Sequence, residues 1–123
     1  MKYNKIVIIG LICTFGLCGE TETINAAEAK NYINQYKTVC GKVVGSKYLE
    51  RSKGQPTFIN LDKAYPNQIF TILIWGSDRK YFEGAPEGIY MDKNVCVEGK
   101  IKSYKGKVEI IVKTPASIQI LHK

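Results

Sequence analysis

The 123-residue sequence predicts an all-β domain, a small barrel with minor helical additions. Three observations lead there. Val95, Val97 and Ile101 alternate with Cys96, Glu98 and Lys102, a period of two that gives one apolar and one polar face. The same period resumes at Val108, Ile110 and Val112 beyond a short turn at 103–106, so this stretch reads as a hairpin. Upstream, residues 39–75 supply three further runs rich in β-branched and aromatic residues, separated by segments bearing glycine and proline.

The first element is expected to be removed. Residues 1–5 are short and basic, and 6–17 (IVIIGLICTFGL) form an unbroken apolar run. That run is too short to span a bilayer and fits the apolar region of a secretory signal, so 1–26 reads as a signal peptide and 27–123 as one exported domain. Small residues at Ala26, Ala27 and Ala29 permit cleavage there, and Gly16 with Cys18 permits an earlier site. Lipidation of Cys18 is the lesser reading, because Leu17 directly before it is bulkier than lipoprotein processing accepts.

Basic side chains outnumber acidic ones 18 to 11, a net charge of +7. Losing Lys2, Lys5, Glu20 and Glu22 with the leader leaves that excess unchanged. A surplus of this size attracts phosphates, acidic glycans or anionic membranes without choosing among them. Two of the four cysteines, Cys40 and Cys96, lie outside the leader. Export to an oxidising compartment favours a disulfide over free thiols. Both alternate against valines on the polar side of their strands, so neighbouring first and fourth strands would set them face to face.

Asn25 and Glu28 have the form of a reciprocal N-cap, and Ala26, Ala29, Ile33 and Tyr36 recur at helical spacing. A short amphipathic helix is expected there. Residues 38–49 (TVCGKVVGSKYL) read as a long first strand, with Gly41 and Gly45 marking a bulge or sharp coil. Residues 50–56 read as loop, 57–62 (TFINLD) as the second strand, 63–68 (KAYPNQ) as turn and 69–75 (IFTILIW) as the third strand. Ser77 is placed to cap a short helix over 78–82, ended by Gly84. The hairpin supplies the fourth and fifth strands, and 118–121 an edge strand.

Five strands with a helical connection between the third and fourth give the order of an oligonucleotide/oligosaccharide-binding (OB) fold, a partly open Greek-key barrel. An SH3-like barrel has no natural place for that helix or for so long a first strand. The segments TVCGKVVGSKY, GQPTFINLDKAYPNQIFTILIWGSDRKYF and NVCVEGKIKSYKGKVEIIVKTPASI resemble a group of small secreted bacterial OB-fold proteins. Similar domains accompany some extracellular nucleases and are generally labelled nucleic-acid binding. The resemblance covers about residues 27–121 and consists of strands and glycines rather than an active-site signature.

In that fold, ligands lie across the second and third strands, between the loop joining strands 1 and 2 and the loop joining strands 4 and 5. The first loop here holds Lys47, Tyr48, Arg51 and Lys53, and the second holds Lys102, Tyr104, Lys105 and Lys107. Lysine and arginine contact phosphates, and tyrosine rings stack on bases. With Phe70, Ile72 and Ile74 filling the barrel, Trp75, Phe58 and Asn60 face outward as a platform. The opposite parity makes Trp75 a core residue, which the general burial of tryptophan favours.

Catalysis finds no support. The single histidine, His122, is penultimate, no serine or cysteine sits in a nucleophile motif, and the acidic residues are scattered over different elements. No metal ligand set or cofactor motif is present in the sequence. The expected partner is single-stranded DNA or RNA, held with low sequence preference. The other reading is a cell-envelope module whose surface holds an acidic protein, a glycan or anionic lipid.

Overall fold

The computed structural model describes residues 12–14, 17–19 and 21–122. Most of the expected leader, 1–11, 15–16 and 20, lies outside the described residues. β1 (Ile12–Thr14) and β2 (Leu17–Gly19) pair antiparallel as a separate ribbon. The main sheet contains eight strands: β3 (Thr23–Asn25), β4 (Tyr36–Tyr48), β5 (Thr57–Leu61), β6 (Phe70–Ile74), β7 (Asn94–Lys100), β8 (Lys102–Tyr104), β9 (Lys107–Ile111) and β10 (Ile118–Ile120). Its order is β10-β7-β4-β5-β6-β9-β8, with β3 beside β4.

β4 is thirteen residues long and serves two ladders. Its first half pairs with β7, from Tyr36 opposite Lys100 to Lys42 opposite Asn94. Its second half pairs with β5, from Val43 opposite Leu61 to Tyr48 opposite Thr57, with a register shift between Val43 and Gly45. The expected bulge is therefore present. Side chains would obstruct it: a Cβ on Gly41 would stand 3.0 Å from Asp62 Oδ1, and one on Gly45 3.4 Å from the Ala64 Cβ. Asp62 fastens the junction, since its carboxylate accepts from the Lys42 N–H (2.9 Å) and its own N–H donates to the Lys42 carbonyl (2.7 Å).

The sheet departs from the expected five strands. β3 runs parallel to β4 where β5 has left it, with Ile24 opposite Val39. β10 pairs with β7 as the expected edge strand. The chain leaves the β4 ladder at Ile101, whose N–H and carbonyl are taken by Gln35 and Asn34 and whose side chain is fully buried. β8 then pairs with β9, and β9 runs parallel to β6. The hydrogen-bonded ladder is open, and β7 and β8 are joined only along the chain.

Both helical expectations are corrected in kind. The N-terminal helix is a 3₁₀ segment over Ala26–Asn31. Its capping box forms as the sequence implies, with the Glu28 N–H donating to Asn25 Oδ1 and the Asn25 N–H to Glu28 Oε1 (both 2.9 Å). It stops early because Asn34 takes a left-handed conformation (φ 70°) and donates to the Ile101 carbonyl, which frees Tyr36 to open β4. The second helix is a 3₁₀ segment over Gly76–Tyr81, with Trp75 rather than Ser77 at the N-cap position and no side-chain cap. A short α1 (Pro86–Ile89) follows, and the Phe82 and Tyr90 rings meet edge to face beside it.

The core follows the strand alternation. Val39, Val43, Ile59, Leu61, Phe70, Ile72, Ile74, Val95, Val97 and Ile110 are all fully buried. Cys40 and Cys96 stand directly opposite in the β4–β7 ladder and form a buried disulfide, with Cα atoms 4.0 Å apart. No helix among the described residues is long and apolar enough to cross a membrane.

The bridge closes a loop with a sequence separation of 56 residues. The chain-entropy relation gives it about 4 kcal/mol of stabilisation. Replacing both cysteines by alanine is expected to lower the unfolding free energy by roughly 2–5 kcal/mol in denaturant titration. Intact mass without reductant should show both thiols oxidised.

Candidate nucleic-acid interface

Residues opposite one another in a ladder share a face, so the registers define the outer surface of the sheet. One row runs Lys47, Phe58, Leu73, Ile111 across β4, β5, β6 and β9. The next runs Gly45, Asn60, Thr71, Glu109, Lys102 and reaches β8. The same strands turn Ile59, Leu61, Phe70, Ile72 and Ile74 inward. The parity that faces Phe58, Asn60 and Trp75 away from the barrel is the one adopted.

The centre of this face is closed. Asn60 is 7% exposed and Leu73 4%. The Thr71 hydroxyl donates to Asn60 Oδ1 at 2.8 Å, and Ala64 in the 62–69 loop packs over Gly45. Asn60 is therefore committed within the protein and does not form an open contact surface. Phe58 is half-buried. Exposure is concentrated at the two ends of β5 and β6, about 16 Å apart for strands of five residues.

One end carries the 49–56 loop. Lys47 on β4 is exposed there, as are Arg51 and Lys53 in the loop. Trp75 follows β6 at this end and is 38% exposed, so its expected burial does not occur. The next outward position after Leu73 carries it past the last β6 pairing, beyond the neighbours that would cover it.

The other end carries the β8–β9 tip. Lys105 (φ 49°) and Gly106 (φ 80°) form a two-residue turn with both central φ angles positive, the geometry that matches hairpin twist. Lys102, Tyr104, Lys105 and Lys107 are all exposed, and the Lys105 ammonium lies 5.4 Å from the Tyr104 ring centre. The Lys107 ammonium donates to the Gln68 carbonyl (3.3 Å), tying this tip to the 62–69 loop. That loop presents Tyr65, the most exposed large aromatic of the described residues at 78%, beside Lys63. Sequence reading passed over Tyr65, although its place before a proline in a polar turn marks an exposed ring.

Tyr48 goes elsewhere. β4 continues through it, so alternation sends it to the face opposite Lys47, and its ring lies under the Arg79 guanidinium at 3.5 Å. Arg79 also donates to Thr57 Oγ1 (2.5 Å) and to Glu87 Oε1 (2.8 Å), and the Ser46 hydroxyl donates to the Glu87 carbonyl (2.7 Å). This cluster fixes the 76–81 segment and α1 against β4 and β5. Burial alone would raise the Glu87 carboxyl. Hydrogen bonds from Arg79 and from the Glu87 backbone, with the Arg79 charge, outweigh burial and hold it below the usual carboxylate range. Glu109, on the outer face, shows the reverse: burial pushes its carboxyl up, and the Lys102 charge only partly offsets this.

No protein-family model matches the chain, and comparison with curated proteins gives no match. Similar folds occur among solved structures. Yeast Stn1 and Ten1 align with a TM-score of 0.58 at 12% identity, covering 85% of this chain and 65% of that one. An aspartyl-tRNA synthetase from Entamoeba histolytica aligns at 0.54 and 19% identity, covering 81% of this chain and 21% of the enzyme. Asparaginyl-tRNA synthetase from Pyrococcus horikoshii aligns at 0.53 and 13% identity, covering 80% and 22%. The chain thus spans about a fifth of each synthetase. These neighbours are OB-fold proteins, and the likeness supports an OB fold here.

Arg79→Met is expected to destabilise by about 1–3 kcal/mol, because it leaves the partly buried Glu87 without its partner. A depressed carboxyl gives stability that is complete above the unfolded pKa of about 4.3 and is lost as pH falls through the lower folded value. Glu87→Gln should therefore show a shallower acid loss of stability than the parent chain below about pH 5. Glu109 has the opposite sign: its raised carboxyl makes ionisation costly, so stability falls as pH rises above the ordinary carboxylate value. Glu109→Gln should raise the denaturation midpoint at pH 7 and leave it unchanged in acid.

Proposed function

We propose that this chain is an exported, non-catalytic OB-fold domain that binds single-stranded nucleic acid with low sequence preference. One observation carries the reading: two exposed loops, distant in sequence, place lysine, arginine and aromatic side chains at opposite ends of one sheet face. The ammonium and guanidinium groups follow the phosphate backbone, and the Tyr104 and Trp75 rings stack on bases at the two ends of β5 and β6. The same fold in two enzymes that by name act on tRNA accords with this reading.

Export is supported by the buried Cys40–Cys96 bridge, which suits an oxidising compartment. Ile24 lies in the core, Glu22 pairs with Lys37 at 2.7 Å, and Thr21 donates to Glu98. Signal cleavage on this reading precedes Thr21, because cleavage after Ala26 would remove β3 and the capping asparagine.

The test is fluorescence anisotropy of a labelled single strand of about 12 bases, within the span of one OB fold. Binding is expected in the micromolar range or tighter, falling steeply as salt rises. Tyr104→Ala is expected to weaken it by about 1–3 kcal/mol, roughly 5- to 150-fold, with thermal stability unchanged. Absence of binding at low salt would discard the nucleic-acid reading. The same basic rims would then be assigned to an acidic protein, a glycan or a lipid surface.

A further inference from the structure

Where β6 ends, the surface sinks into an open depression of about 450 Å³ lined by Gly54, Gln55, Trp75, Gly76 and Ser77. The strand pairings do not require such a hollow. It exists because two glycines let backbone and indole approach closely. Gly54 has φ 80°, and a Cβ there would stand 2.8 Å from Trp75 Cζ3 and 2.9 Å from Cε3. A Cβ on Gly76 would meet the Gln55 Cβ at 2.7 Å and its carbonyl oxygen at 3.0 Å. The Gly76 N–H donates to the Gly54 carbonyl at 2.9 Å, fastening the two walls together. Gln55 is itself held, with Nε2 donating to the Glu50 carbonyl at 3.1 Å. The benzo ring of the indole is thereby held against Gly54, while Trp75 remains 38% exposed.

We infer that this depression receives one nucleobase of a bound strand, stacked on the Trp75 indole. Three features point to a planar ring that carries a phosphate. The only large side chain in the lining is aromatic and flat, and its position is fixed before any ligand arrives. Two residues able to hydrogen-bond, Gln55 and Ser77, line the same depression as the indole. Arg51 and Lys53 are exposed in the loop that supplies Gly54, and neither pairs with a carboxylate of another described residue. Stacking on such a surface is tolerant of base identity, because every base has a π face. The inference rests on the nucleic-acid reading above and adds a fixed anchoring point to it.

Trp75 is the chain's single tryptophan, so its intrinsic fluorescence reports on this depression alone. The full chain is titrated at low salt with a labelled 12-base single strand of mixed sequence, and separately with an abasic sugar-phosphate strand of equal length. Anisotropy and tryptophan emission are followed together. The expected result is that both strands raise anisotropy and only the base-bearing strand quenches Trp75, in step with binding. Trp75→Leu should weaken the base-bearing strand roughly 5- to 150-fold and leave the abasic strand unchanged. Trp75→Phe should keep most of the affinity, which separates loss of the ring from loss of the fold. Binding of the base-bearing strand without quenching, or equal affinity in Trp75→Leu, overturns the inference and leaves the nucleic-acid reading standing. If neither strand raises anisotropy, the nucleic-acid reading falls and the inference falls with it.

Discussion

β4 belongs to two ladders at once, and the transfer between them at Val43–Gly45 governs the rest of the fold. A strand can exchange partners midway only if it coils sharply, and coiling needs an extra residue and room for the backbone to close in. Both conditions are met. The register shift supplies the residue, and Gly41 and Gly45 leave the room that Asp62 and Ala64 occupy. Before the shift, β4 holds β7 and, through it, the disulfide and β10. After the shift it holds β5 and β6, the strands between the two loops.

From this constraint follows the character of the outer face. Coiling and the folded-back 62–69 loop close the middle, where Asn60 and Thr71 satisfy each other by a hydrogen bond. Exposure is displaced to the ends, which loops supply and which can carry charge without desolvating it. The chemistry thus sits on short, well-anchored turns: a two-residue hairpin tip tied to Gln68, and a loop closed by the Leu49 N–H donating to the Pro56 carbonyl.

The sequence carried the features that have a period or a local partner. Alternation at Val95–Val97 and Val108–Ile110 located the hairpin, parity set Cys40 against Cys96, and Asn25 with Glu28 gave the cap. Features fixed by distant chain were not legible. β3 is three residues whose strand character comes from the vacancy beside β4. The first helix ends where Asn34 finds the Ile101 carbonyl, a contact 67 positions away in sequence. Tyr48 stands beside the basic residues of the first loop in sequence, yet it closes β4, and alternation turns its ring away from Lys47 to Arg79. Arg79 itself had no motif, and only the fold brings it to Glu87 and Thr57. Trp75 shows the limit of average burial tendencies, since its exposure depends on where β6 stops.

The order β10-β7-β4, with β3 on the far side of β4, gathers both ends of the domain into one patch. Neighbouring strands lie about 4.8 Å apart, so β3 and β10 are separated by only about 15 Å. Asn25, Cys40, Cys96 and Gln119 stand in one row across that patch, with the disulfide at its centre. The basic loops belong to the other half of the sheet. An anchor, a second domain or a surface attached at either end would pull on the cross-linked half of the molecule. The loops at the ends of β5 and β6 would stay clear of such an attachment.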